Sequence, residues 1–117
     1  MGKLTTHVLD TASGRPGAGI ALALYRLLDG ERRQIIAGTT NADGRSDGPL
    51  LEGPQIESGI YELEFEAGAY FAAQGVALPD PPFFDRVVLR FGIADADASY
   101  HVPLLISPWS YSTYRGS

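Results

Sequence analysis

Gly59-Ile60-Tyr61-Glu62-Leu63-Glu64-Phe65-Glu66 alternates without a break: Tyr61, Leu63 and Phe65 point one way and the three glutamates the other. Period two over eight residues is a β-strand with one face on a core and one toward water. Upstream, Ile20, Leu22 and Leu24 alternate with Ala21, Ala23 and Tyr25 up to the Asp29-Gly30-Glu31 break, and Gln34 to Thr40 returns as the second arm of a hairpin. Leu4 to Thr11 is a further strand, closed by the turn residues Ser13-Gly14-Arg15-Pro16-Gly17. Downstream, Arg86 to Ile93 puts Val87, Leu89, Phe91 and Ile93 inward, and Ser99 to Ile106 puts Tyr100, Val102, Leu104 and Ile106 on one face. His101 is thereby left on the opposite face, off the core. Tyr111 to Gly116 reads as the last strand, after Ser107-Pro108-Trp109-Ser110. Residues 46–58 read as loop with at most one very short strand, and Ala67 to Gln74 as one short helix with Gly75 beyond its end. Seven or eight short strands and one helix make an all-β antiparallel sandwich, in a single domain over residues 1–117.

Composition narrows the function. With no cysteine, neither a disulfide nor a thiolate site or nucleophile is available. A net charge of −5, with nine scattered basic residues, argues against a nucleic-acid surface. No apolar run approaches the ~18 residues that span a bilayer. Met1-Gly2-Lys3 leads into polar residues rather than a signal-peptide core, and Arg-Gly-Ser is not the peroxisomal Ser-Lys-Leu type, so the expected location is the cytoplasm.

The residues that can carry chemistry are few. His7 and His101 are the two histidines, and imidazole is the side chain that exchanges a proton near neutral pH. Two imidazoles do not complete a tetrahedral metal site, and no HxH or HExxH spacing adds a ligand. The turn Asn41-Ala42-Asp43-Gly44-Arg45 presents Arg45, and the segment Tyr114-Arg115-Gly116-Ser117 adds a planar cation beside hydroxyls. Each arginine and histidine taken singly is also compatible with a solvated or structural role. No GxSxG elbow, EF-hand spacing or phosphate-cradling loop is present.

Four stretches taken together resemble the 5-hydroxyisourate hydrolases, the transthyretin-like enzymes of urate breakdown. They are Leu4-Thr5-Thr6-His7-Val8-Leu9-Asp10, the Asn41-to-Arg45 turn, Tyr100-His101-Val102-Pro103-Leu104-Leu105-Ile106-Ser107-Pro108, and Tyr114-Arg115-Gly116-Ser117. Transthyretin itself, a hormone carrier on the same sandwich, is similar along Gly59 to Glu66 and Ser107 to Thr113 but lacks the terminal tetrapeptide. Asp85 departs from the proline found in many relatives, in a loop. The resemblance implies a transthyretin-like fold and a homotetramer with sites at the dimer-dimer interface. It also implies a metal-free, cofactor-free hydrolysis of 5-hydroxyisourate. Carried onto this chain, the catalytic residues are His7, Arg45, His101 and Ser117; those binding substrate are His7, Arg45, Tyr114, Arg115, Gly116 and Ser117. A histidine is expected to activate water, with Arg45 keeping a neighbouring imidazole neutral. The competing readings are a small-ligand carrier without catalysis and a structural β-domain.

Overall fold

The computed structural model describes residues 2–117. In chain order the strands are β1 (Lys3–Asp10), β2 (Arg15–Pro16), β3 (Ala21–Leu28), β4 (Glu31–Thr39), β5 (Leu51–Glu52), β6 (Gly59–Phe65), β7 (Val87–Ile93), β8 (Tyr100–Ile106) and β9 (Tyr111–Thr113), with one helix, α1 (Ala67–Ala73). They form two sheets, β2-β1-β8-β9 with β5 against the start of β1, and β4-β3-β6-β7. The sandwich matches expectation, with two refinements. Two of the nine strands are only two residues long. And β1 pairs with β8 in parallel, from Leu4 opposite Tyr100 to Asp10 opposite Ile106, where sequence suggested antiparallel neighbours throughout. Strand periodicity fixes which side chains face inward, not which distant strands become neighbours.

The inner faces carry the core. From β6, Tyr61, Leu63 and Phe65 are at most 1% exposed; from β1, β3 and β8, Leu4, Val8, Leu24 and Leu104 are fully buried. The glutamate face of β6 is drier than a solvent face. Arg32 on β4 lies over the Tyr25 ring at 3.5 Å and donates to Glu62 (2.8 Å) and Glu64 (3.2 Å), leaving Glu64 buried. A central strand flanked by long side chains on β3 and β4 is covered by their stems.

Helix α1 ends as its glycine foretold. Gly75 has φ +82°, its N–H reaches the Ala72 carbonyl, and the Val76 N–H reaches the Phe71 carbonyl, which together are a Schellman closure. The helix is tied to β1 by one buried contact. The Tyr70 hydroxyl donates to Asp10 at 2.8 Å, and the same carboxylate accepts from the Ala12 and Ser13 amides. Burial, then the bond to Asp10, pushes the Tyr70 phenol up to about 12. Tyr70→Phe removes one bond to a charged acceptor that keeps its two amide donors, so it should cost about 1–3 kcal/mol. A urea titration with unchanged slope and a lowered midpoint is the expected result; an unchanged midpoint would show the tie to be idle.

The last strand is shorter than the sequence suggested, because Pro103 interrupts it. Pairing runs from Ile106–Tyr111 to Leu104–Thr113. Continued in register, Pro103 meets Tyr114, and proline has no N–H to give. Its carbonyl is taken instead by the Thr113 hydroxyl at 2.7 Å. Pairing resumes at His101 and Gly116, where the Gly116 N–H donates to the His101 carbonyl at 2.7 Å.

Candidate functional site

The parallel pairing of β1 with β8 brings the two histidines onto one surface. Thr5 lies opposite His101 and His7 opposite Pro103, so Thr5, His7 and His101 all face outward from the first sheet, away from the core. Both imidazoles are half-buried. The Thr5 hydroxyl oxygen stands 2.8 Å from His101 Nδ1.

Arg45 arrives from the turn at residues 41–45. The Asn41 side-chain oxygen accepts the Asp43 and Arg45 amides, and the Asn41 amide donates to the Arg45 carbonyl at 2.7 Å. Gly44, at φ +76°, lets the turn lie flat on β1, where the Val8 N–H donates to its carbonyl; a Cβ there would sit 2.4 Å from the Val8 carbonyl oxygen. The result is a bridge between Arg45 and His7. His7, His101 and Arg45, which the resemblance placed in one site, are therefore brought together.

The electrostatics follow from that grouping. The pKa of His101 is lowered from its ordinary value, first by burial, then by the Arg45 charge, then by His7, with hydrogen bonding to Thr5 pulling the other way. Near neutral pH the ring is therefore an unprotonated base. Among the described residues no three of His, Cys, Asp or Glu stand together as metal ligands do.

The terminal segment divides in two. Gly116 lies against the His101 ring so closely that a Cβ there would be 2.5 Å from Cδ2. Exposed Ser117 follows it directly. Arg115 goes elsewhere: its guanidinium lies 4.2 Å from the centre of the Tyr100 ring and donates to the Ser99 carbonyl. Tyr100 is a core-face residue, so the fork expected to hold substrate beside the histidines is engaged at the sandwich edge instead. With exposed Tyr114 it borders a groove of about 390 Å³ between β7 and β9, floored by Leu89, Phe91 and Val102. Three contributors escaped the sequence reading: Thr5, Asn41 and Pro103. Thr5 sits two residues from His7 and so on its face, which is the signal that could have found it.

Known proteins share the sequence pattern and the fold. The HIUase/Transthyretin family pattern matches residues 4–116. A 5-hydroxyisourate hydrolase from Ralstonia nicotianae is 61% identical over 117 residues, all of both chains. The solved 5-hydroxyisourate hydrolase of Klebsiella pneumoniae superposes with a TM-score of 0.80 at 36% identity, over 98% of this chain and 99% of that one. Sea bream transthyretin, solved in complex with thyroxine, superposes at 0.86 with 32% identity, over 97% of this chain and 94% of that one. Its fold, its matched length and its enzyme relatives place this chain in the HIUase/Transthyretin family.

Proposed function

We propose that this chain hydrolyses 5-hydroxyisourate, and that His101 is the general base. The observation that carries this reading is a half-buried imidazole whose proton affinity is lowered beside Arg45 and His7. A carrier has no use for an uncharged base held next to a guanidinium. His101 takes a proton from water as the oxygen adds to the C6 carbonyl; the tetrahedral oxyanion then collapses, the N1–C6 bond breaks, and the proton passes to N1. The six-membered ring opens to 2-oxo-4-hydroxy-4-carboxy-5-ureidoimidazoline. Arg45 supplies the positive field that the developing oxyanion meets.

The reaction needs no metal on this reading, because a guanidinium beside two imidazoles is a poor seat for a divalent cation. The site lies on an open sheet face, so a second copy of the chain, in a homotetramer, closes it and excludes bulk water. Ser117, next to Gly116 at the His101 ring, borders the substrate, while Tyr114 and Arg115 act at the edge they already occupy. Loss of the ultraviolet band of 5-hydroxyisourate, generated in place by urate oxidase, tests the proposal directly. Acceleration is expected; a band that persists or decays more slowly would identify a carrier.

The pH dependence has a definite sign. A lowered His101 pKa keeps the base unprotonated to below pH 6.5, so kcat/KM falls only as the pH drops through that lower value. Arg45→Gln removes the second cause of the lowering. The acid limb of the profile should then move up toward 6.5, whatever the loss in maximal rate. An unmoved limb would mean that Arg45 does not set the proton affinity of the base.

A further inference from the structure

We infer that Thr5 is a positioning residue: its oxygen accepts the Nδ1–H of His101 and fixes the tautomer whose Nε2 lone pair takes the proton. The inference rests on the reading of His101 as base and adds what makes one particular nitrogen the basic one. A neutral imidazole carries its proton on either nitrogen, and only the nitrogen without it can accept from water. The contact that decides is the 2.8 Å one between Thr5 Oγ1 and Nδ1.

Three features make that contact a built one. Thr5 and His101 are direct partners in a parallel ladder of seven residue pairs, so their side chains leave the sheet on the same side at a spacing set by backbone. Threonine is branched at Cβ and holds few χ1 states in a strand, which keeps its hydroxyl from drifting. On its Cδ2 edge the ring meets the backbone of Gly116, so it cannot swing away from Thr5 or turn over freely. A hydroxyl can donate or accept at this distance; it accepts in the arrangement that leaves Nε2, on the ring edge away from Thr5, free to take a proton from water. With Thr5 accepting at Nδ1, the proton sits there and Nε2 is left open.

Thr5→Val keeps size and branching and removes the hydroxyl; Thr5→Ser keeps the hydroxyl. Side-chain nitrogen NMR of the whole protein, above the titration of the ring, reads the His101 tautomer without any substrate. The wild type should show Nδ1 protonated, Thr5→Val should drift toward the Nε2–H form, and Thr5→Ser should restore the first. With 5-hydroxyisourate, Thr5→Val should lower kcat by about 3–10-fold, the worth of one neutral hydrogen bond, with KM unchanged and Thr5→Ser recovering the rate. A wild-type ring protonated at Nε2, or a Thr5→Val ring with the wild-type tautomer, overturns the inference. If the wild type does not turn over 5-hydroxyisourate, the functional reading falls while the tautomer comparison still decides the role of Thr5.

Discussion

Replacing His101 with asparagine should lower kcat for 5-hydroxyisourate by about 10²–10⁴-fold, the span that general-base help supplies. Asparagine is close in size, and its amide can meet the Thr5 hydroxyl, but it takes no proton at any accessible pH. The fold should survive. His101 lies on the outer face of β8, and its structural bonds are made by backbone: the ladder to β1 and the carbonyl that receives the Gly116 N–H. Urea midpoints of the two proteins should therefore agree within about 1 kcal/mol, as for a substitution outside the core. His7→Asn is the necessary companion. His7 stands next to the base and is bridged to Arg45 without itself taking the proton from water, so its loss should slow the reaction less than the loss of His101. Single-turnover absorbance on freshly generated substrate measures both. If His7→Asn is the more damaged, the roles of the two imidazoles are exchanged; if both turn over at the wild-type rate, neither is the base.

How much of this was visible in the sequence depended on which physical signal a residue carries. Burial has a periodic signature, so the inward sets of β6, β7 and β8 could be named from alternation alone, and the structure buries Tyr61, Leu63, Val87, Leu104 and Ile106 as that pattern requires. Helix α1 and its Gly75 closure were equally local. Pairing is not local. Nothing in the spacing of Leu4–Asp10 and Tyr100–Ile106 says that these stretches, near opposite ends of the chain, run side by side in parallel, and it is that pairing which brings His7 and His101 onto one face.

The Pro103 break shows a finer limit. Its consequence depends on whether the missing N–H would have pointed toward β1 or toward β9, and that follows only from the register. Arg115 shows the same limit for direction: its residue type fits an anion, but the chain turns it onto Tyr100. Exposed charge patterns were misjudged for a related reason. The glutamates of β6 alternate as on a wet face, yet Arg32 and Tyr25 reach across from neighbouring strands and cover Glu64.

Gly116→Ala should lower kcat by about 10²-fold while barely moving the melting temperature, the size of loss that follows from displacing a catalytic group by about 1 Å. The resemblance placed this glycine among the residues that bind substrate. The structure gives the close approach to the imidazole instead: an alanine methyl would lie 2.5 Å from His101 Cδ2 and 3.1 Å from Cγ. Such contacts are not tolerated, and the ring has Thr5 on its other side. One of the two must yield. Either the ring leaves Thr5, or the terminal residues lift from β8 and take Ser117 with them. Both outcomes spoil the alignment of the base with bound substrate, and neither disturbs the core, since the bond from Gly116 to His101 lies at the free edge of the sheet. The two readings of this residue separate cleanly in kinetics. A glycine needed for ligand approach gives an alanine variant with raised KM and a nearly normal kcat, whereas a glycine that backs the imidazole gives a variant whose kcat falls at unchanged KM. The second pattern, with the His101 side-chain resonances shifted before substrate is added, is the expected one; the first would return Gly116 to the ligand.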